Sequence, residues 1–289
     1  MFYRSLLFTP GTARKLLYKS FETGADALIW DLEDAVHPSE KDSARSVIRD
    51  VLNSLDGSYE PPVYLRVNAV GSPWFEADAK LAAHRAVRGV VLPKTEEVQH
   101  VEAVRALAGE AKIIIITETA RGLRNLEWIL TARHVSGVAL GALDLAVDLG
   151  LTLTESGFEL LYARSRITTL ARAEGIKGIY DSVFPDLEDI SGLRARAESV
   201  RAMGFTGQLA IHPSQIEVIH DAYSPSEKEI EWATRVLQAV DSVEQIGQGV
   251  FTLDGRMIDR PVIEQARQTY EMARRFELGP VDPTADKAE

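Results

Sequence analysis

Carboxylates close three apolar runs in this 289-residue chain. Asp31-Leu32-Glu33-Asp34 follows Asp26-Ala27-Leu28-Ile29-Trp30, Glu118 follows Ile113-Ile114-Ile115-Ile116-Thr117, and Asp144 follows Gly137-Val138-Ala139-Leu140-Gly141. A charge beside that much hydrocarbon is costly to bury. Carboxylates gathered in one place need a counter-charge, and a divalent cation is the simplest one. Glu118 and Asp144 offer hard oxygen donors. Such donors suit Mg²⁺, which keeps part of its water shell and takes substrate oxygens for the rest; Mn²⁺ fits the same set. None of the six histidines shows the H-x-x-x-H spacing of a zinc helix. Two further apolar runs end in basic motifs, Arg66-Val67-Asn68 and Pro93-Lys94. Plainer readings exist for some of these residues. An Asp after a strand is ordinarily a helix cap or turn residue, and Arg66 could simply pair with Glu33. Glu118 resists that treatment, because Glu is a poor cap and it follows four isoleucines.

What must position these residues is a series of short apolar strands alternating with amphipathic helices. Strands are expected at 4–9, 26–31, 62–67, 88–92, 111–117, 136–141, 176–181 and 207–211. Helical periodicity fills the gaps, as in Ser39–Leu55 and Val98–Ala108. This pattern predicts an α/β fold, the TIM (β/α)8 barrel, whose parallel strands deliver their C-terminal ends to one open mouth. Glu33, Glu118 and Asp144 then come from strands 2, 5 and 6, with Arg66 and Lys94 from strands 3 and 4. The span 142–175 is long enough for two helices. Beyond the last barrel strand, helices are expected near 214–221, 226–240 and 261–276. A glycine-rich turn (Gly247, Gly249) and an Asp254-Gly255 hairpin separate the last two. Pro38-Ser39-Glu40 and Ser224-Pro225-Ser226-Glu227 carry helix-start signals. Glu40, Lys41 and Arg45 share one helix at spacings that allow ion pairing, which reads as a solvated face. The expected domains are a barrel over 1–222, a C-terminal helical and hairpin lid extension over 223–278, and a loose tail over 279–289.

A net charge of -11 and a pI near 5.1 argue against nucleic acid or an acidic membrane as partner. The absence of cysteine excludes a disulfide framework, a thiolate zinc site and a Cys nucleophile, and it accords with a cytoplasmic location. Met1-Phe2-Tyr3-Arg4-Ser5 runs straight into Leu6-Leu7-Phe8 with no secretory pattern, and no apolar stretch approaches the roughly 20 residues that span a bilayer. The Gly-x-Ser-x-Gly elbow, the P-loop and the Gly-x-Gly-x-x-Gly fingerprint are all missing.

Taken in order, a longer set of motifs resembles one known family. They are Arg4-Ser5-Leu6-Leu7-Phe8-Thr9-Pro10-Gly11, Asp31-Leu32-Glu33-Asp34-Ala35-Val36, Glu40-Lys41 with Ala44-Arg45, Arg66-Val67-Asn68, Leu92-Pro93-Lys94, Glu118-Thr119-Ala120-Arg121-Gly122, Gly141 through Gly150, Ile211-His212-Pro213, and Asp254-Gly255-Arg256-Met257-Ile258-Asp259. Over residues 4 to 275 the chain resembles the citrate lyase beta subunit and its relatives in the HpcH/HpaI aldolase group, malyl-CoA and citramalyl-CoA lyases among them. The resemblance implies a homotrimer of TIM barrels with C-terminal lids. It also implies Mg²⁺-dependent cleavage of a β-hydroxyacyl thioester into an acetyl thioester and a keto acid. Coenzyme A would enter as part of the substrate.

The same resemblance implies roles residue by residue. Glu118 and Asp144 would ligate the metal, with Glu33 and Asp34 holding its waters. Arg66 would bind the oxygens of the reacting acid, and Lys19 and Lys94 would join it as substrate or coenzyme A contacts. Asp259 would be the acid/base, reaching into a neighbouring subunit's site, although Ile258-Asp259-Arg260-Pro261 by itself reads as a helix cap. Three alternatives stay open. One is a malyl-CoA thioesterase or malate-synthase-like enzyme. Another is a lyase subunit that accepts only an acyl-carrier-protein thioester. The last is an aldolase for a free hydroxy-keto acid.

Overall fold

Runs such as Ile113–Ile116 carry no polar alternation because a parallel sheet closed into a barrel buries both faces of every strand. In the computed structural model, which describes residues 2–55, 59–244 and 250–279, the strands are β1 (Ser5–Pro10), β2 (Ala27–Asp31), β3 (Val63–Arg66), β4 (Gly89–Leu92), β5 (Lys112–Thr117), β6 (Val135–Leu140), β7 (Gly178–Asp181) and β8 (Gly207–Ala210). They form a closed barrel in sequence order, and β1 pairs in parallel with both β2 and β8. The fold is the expected TIM barrel.

Two apolar layers follow from the two-residue period of a strand. Leu6, Ile29, Tyr64, Val91, Ile114, Ile116, Ala139, Tyr180 and Leu209 fill the interior as one cluster. Their neighbours Leu7, Leu28, Leu65, Val90, Ile115, Val138 and Ala210 face outward into a larger cluster. Helices cover that outer layer: α1 (Arg14–Ser20), α2 (Lys41–Ser54), α3 (Phe75–Leu81), α4 (Val98–Ala108), α5 (Ala120–Ile129), α6 (Ala142–Leu149), α7 (Leu161–Ala173), α8 (Ile190–Ala202) and α9 (Ile216–Tyr223). Two of them, α6 and α7, occupy the long crossover between β6 and β7.

The chain divides into two compact units, Met1–Tyr223 and Ser224–Glu289. In the second, α10 (Glu227–Glu244) and α11 (Arg260–Arg275) flank a hairpin of β9 (Phe251–Leu253) and β10 (Arg256–Ile258). Ser226 and Glu229 cap α10 reciprocally: Ser226 N–H donates to the Glu229 carboxylate at 2.7 Å, and Glu229 N–H to Ser226 Oγ at 3.3 Å. Asp254 and Gly255 both take positive φ, 50° and 75°, as a tight hairpin turn requires. Ala233, Val236, Ile258 and Ala266 form this unit's core. The expected turn at Gly247 and Gly249 and the tail from residue 280 onward lie outside the described residues. No helix among the described residues is long and apolar enough to cross a membrane.

Candidate active site at the barrel mouth

Strand parity aims the reactive side chains. Counting on by two from the interior residues Ala27 and Ile29 reaches Asp31; from Tyr64 it reaches Arg66; from Ile114 and Ile116 it reaches Glu118. Each therefore stands one step beyond the apolar filling, at the C-terminal face where barrel chemistry is carried out.

Asp31 and Arg66 are register partners on β2 and β3. Arg66 Nε donates to Asp31 Oδ1 at 2.7 Å and Nη2 to Oδ2 at 2.6 Å, a bidentate fork. Asp31 also accepts the N–H groups of Glu33 and Ala35. All its lone-pair directions are thus in use, so Asp31 positions Arg66 and the following loop rather than binding a ligand. Nη1 of Arg66 reaches Asp34 at 3.2 Å and lies 3.0 Å from Glu33 Oε2. The guanidinium sits 4.6 Å from the centre of the Phe8 ring. These carboxylates raise the already high pKa of Arg66 against the opposing effect of burial, so its charge is permanent.

Glu33 is buried. Its Oε1 accepts Lys94 Nζ at 2.6 Å, while Oε2 is within ion-pair distance of Arg66 in a geometry short of a hydrogen bond. Burial raises the Glu33 pKa, and Arg66 and Lys94 oppose that rise. Lys94 takes a left-handed backbone, φ 48°, which costs a non-glycine residue about 1 kcal/mol or more. That conformation aims its N–H at Glu118 Oε1, 2.7 Å away. Glu118, 4% exposed, has its pKa pushed up to about 7, chiefly by burial and then by Glu33. Its Oε2 has no hydrogen-bond partner among the described residues and faces Gly141: a Cβ there would lie 2.6 Å from it.

Asp144 stands in the first turn of α6. The cap of that helix is Gly141, and no side chain caps it, so the helix-cap reading of Asp144 does not hold. Asp144 is exposed, has no ion pair or hydrogen bond among the described residues, and raises the pKa of Glu118 by its charge. The structure thus brings Glu33, Asp34, Arg66, Lys94, Glu118 and Asp144 to one mouth. It does not bring Lys19, which is exposed in the last turn of α1 with no contact to these groups. Asp259 belongs to the second unit, where it caps α11 by accepting the Val262 N–H at 3.3 Å.

The solvated face expected for Lys41 and Arg45 is a correction. Both are buried. Lys41 Nζ donates to the carbonyls of Leu32 and Glu33, each at 2.7 Å, and its ammonium lies 5.3 Å from the Trp74 ring centre. Arg45 pairs with the fully buried Asp78 at 2.7 Å, and Asp78 in turn accepts the backbone and side-chain N–H groups of Asn68. Helix spacing suggested partners along α2, whereas the carbonyls that Lys41 satisfies belong to an irregular loop that no periodicity describes. For Asp31 a signal did exist, since its parity matches that of Ile29.

Fold and mouth define a class: a (β/α)8-barrel enzyme with carboxylates and two cations at its catalytic face. The HpcH/HpaI aldolase/citrate lyase family model matches residues 4–213. A (3S)-malyl-CoA thioesterase from Cereibacter sphaeroides is 35% identical over 271 residues, 94% of each chain. Citrate lyase subunit beta from Leuconostoc mesenteroides subsp. cremoris is 34% identical over 283 residues, 93% of each chain. Among solved structures, protein CitE from Mycobacterium tuberculosis, in complex with magnesium, acetoacetate and coenzyme A, has a TM-score of 0.80 at 33% identity. The match covers 94% of this chain and 98% of that one. The chain belongs to the HpcH/HpaI aldolase/citrate lyase family and is an enzyme of the lyase class.

Proposed function

We propose that this protein is a Mg²⁺-dependent carbon–carbon lyase. Its substrate would be a β-hydroxyacyl-CoA of citryl, citramalyl or malyl type, cleaved to an acetyl thioester and a keto acid. One observation carries the proposal. Glu118, with a raised pKa and an unpartnered oxygen, shares the mouth with Asp144 and with the permanent cation Arg66. The naming of related proteins as citrate lyase subunit beta, and of a CitE complex with magnesium, acetoacetate and coenzyme A, supports it.

The residues fit a magnesium ion. Among the described residues no three His, Cys, Asp or Glu side chains gather into a complete protein cage. Two carboxylates completed by water and substrate oxygens are, however, the arrangement Mg²⁺ prefers. Glu118 and Asp144 would hold the ion, and the open oxygen of Glu33, with Asp34 nearby, would accept from its waters. When bound, the ion would supply Lewis acidity toward the hydroxyl and carboxylate oxygens of the substrate. Arg66, held by Asp31, receives negative charge on the keto-acid portion. Lys94 opposes the burial-driven rise in the Glu33 pKa and orients Glu118 through its backbone N–H. Asp259 would accept the hydroxyl proton of the substrate as the carbon–carbon bond breaks toward the thioester, and would return that proton to the enolate carbon. In this reading Asp259 is carried by the lid segment of a neighbouring copy in a homotrimer. Light scattering tests the trimer, and a monomer would remove that role. A cytoplasmic location belongs to the same reading, and cell fractionation checks it.

The test is a mass-spectrometric product screen of citryl-, citramalyl- and malyl-CoA with Mg²⁺. Keto acid and acetyl-CoA are expected, and Glu118→Gln and Asp144→Asn should each lower turnover by at least about 100-fold. Near-normal turnover in both variants would refute the site. The relative named (3S)-malyl-CoA thioesterase favours a second reading, hydrolysis of the thioester after the same enolate chemistry. Free CoA with keto acid and acetate, or with intact hydroxy acid, would identify it. Activity only on an acyl-carrier-protein thioester would identify a dedicated subunit.

A further inference from the structure

Asp144 owes its place at the mouth to the helix that carries it. Its side chain makes no hydrogen bond or ion pair among the described residues, so the backbone of α6 sets where its carboxylate stands. Glu118 differs, because the Lys94 N–H holds its Oε1. The spacing of the two carboxylates therefore depends on how α6 sits against the start of α5. Packing fixes α6 weakly. Its buried residues are Ala142, Leu145 and Ala146, while Leu143, Val147 and Leu149 are exposed. A helix of eight residues seated on one leucine and two alanines has few interlocking side chains to oppose sliding or turning about its axis.

Hydrogen bonds to neighbouring elements supply what packing does not. At the start of α6, Gly141 N–H donates to the Thr117 carbonyl and Ala142 N–H to Ser182 Oγ, both at 3.0 Å. One turn beyond Asp144, Asp148 Oδ2 accepts the Ala120 N–H at 2.7 Å. Ala120 opens α5, two residues after Glu118. Thr119 caps α5 by accepting the Gly122 N–H at 3.0 Å, which leaves the Ala120 N–H without a partner in its own helix. Asp148 provides one, and its charge suits the positive end of α5. Capping by itself could draw on any nearby acceptor. This acceptor comes from the helix that bears Asp144, and it closes a ring: from Glu118 to the Ala120 N–H, across to Asp148, and one turn back to Asp144.

We propose that Asp148 is a positioning residue for the metal site: its bond to Ala120 locks α6 against α5 and so sets the spacing of Glu118 and Asp144. The proposal rests on the reading of those two carboxylates as the magnesium ligands. It gives Asp148 no contact with metal or substrate. Mg²⁺ demands near-ideal ligand geometry, so a helix free to slide loses affinity even when both carboxylates remain.

The test is a Mn²⁺ titration of the full-length protein followed by electron paramagnetic resonance, which counts the free ion. Asp148→Ala is expected to weaken Mn²⁺ binding about tenfold, as loss of an orienting partner does, at a temperature where circular dichroism shows the variant folded. Asp148→Asn keeps an acceptor oxygen for Ala120 and should recover most of that affinity. Both variants remove the charge, so equal weakening in the two would be a charge effect and overturns the proposal. Wild-type affinity in Asp148→Ala also overturns it, and a lowered Tm beside that affinity makes Asp148 a cap for α5 alone. The lyase reading fails separately. A wild-type protein that binds Mn²⁺ and releases no keto acid refutes the reaction and leaves the positioning role standing, whereas one that binds no Mn²⁺ refutes the metal site and this proposal together.

Discussion

Asp31 and Glu33 are two residues apart, yet their carboxylates bear different loads. Asp31 is saturated by the Arg66 fork and two backbone amides, so removing it should act through Arg66. Asp31→Asn keeps the shape and loses the charge. It is expected to raise KM for the hydroxyacyl thioester and lower kcat/KM by roughly 10- to 100-fold, as loss of an orienting partner does. An unchanged kcat/KM with a lowered Tm would make Asp31 a stability residue only. Glu118 gives a prediction with a sign. Its folded pKa of about 7 stands above the ordinary 4.5, so in the metal-free protein its ionisation opposes folding as pH rises from 4.5 through 7. Metal-free Glu118→Gln should therefore be more stable than wild type above pH 7, by on the order of 3 kcal/mol, with the gain vanishing below pH 4.5. Denaturant titrations at several pH values measure this, and a gain independent of pH would reject the burial account. The same proton must leave before a cation binds, so Mg²⁺ affinity should fall as pH drops below about 7.

At the scale of elements, the mouth depends on turns as much as on strands. Gly141 follows β6 with φ -96° and ψ 79°, a conformation open to other residues, so its requirement is steric. A Cβ would lie 2.5 Å from Glu118 Cβ and 2.6 Å from Oε2. Gly141→Ala should displace the Glu118 carboxylate and weaken Mg²⁺ binding at least tenfold while the barrel stays folded by circular dichroism. Retained affinity would show that β5 can shift without cost. The β2–α2 loop is pinned from outside by Lys41, whose two hydrogen bonds to buried carbonyls are each worth about 1.5 kcal/mol or more. Lys41→Met leaves those carbonyls unsatisfied and should lower both stability and kcat/KM. A change in stability alone would limit Lys41 to the scaffold.

For the molecule as a whole, one contact ties the two ends of the barrel unit together. His220 on α9 meets Ser5 of β1, its Nε2 2.8 Å from Ser5 Oγ and 3.3 Å from Asp26 Oδ1, and Asp26 is itself paired with Arg4. Burial lowers the His220 pKa below its ordinary 6.5; Asp26 opposes that shift and Arg4 reinforces it. The folded state thus disfavours the protonated ring, and this stabilisation, full above pH 6.5, is lost as pH falls through the lowered value. His220→Gln should flatten the acid side of the stability profile. An unaltered slope between pH 5 and 7 would place that titration elsewhere.

Much of this was legible in the chain. Apolar runs closed by carboxylates required strands that share an open end, and the number of runs required a barrel, because burying both faces leaves only the strand tips for charge. The cap of α10, the Asp254-Gly255 turn and the placement of Glu33, Arg66, Lys94 and Glu118 all follow from local rules of period and backbone preference. What tertiary structure alone decided is which charges answer which. Asp31 saturated by Arg66, Lys41 turned inward to two carbonyls, Arg45 buried on Asp78, and Gly141 kept bare for Glu118 each join residues from different elements. Periodicity says which way a side chain faces. Only the closed barrel brings distant segments within the few ångströms over which hydrogen bonds and ion pairs act.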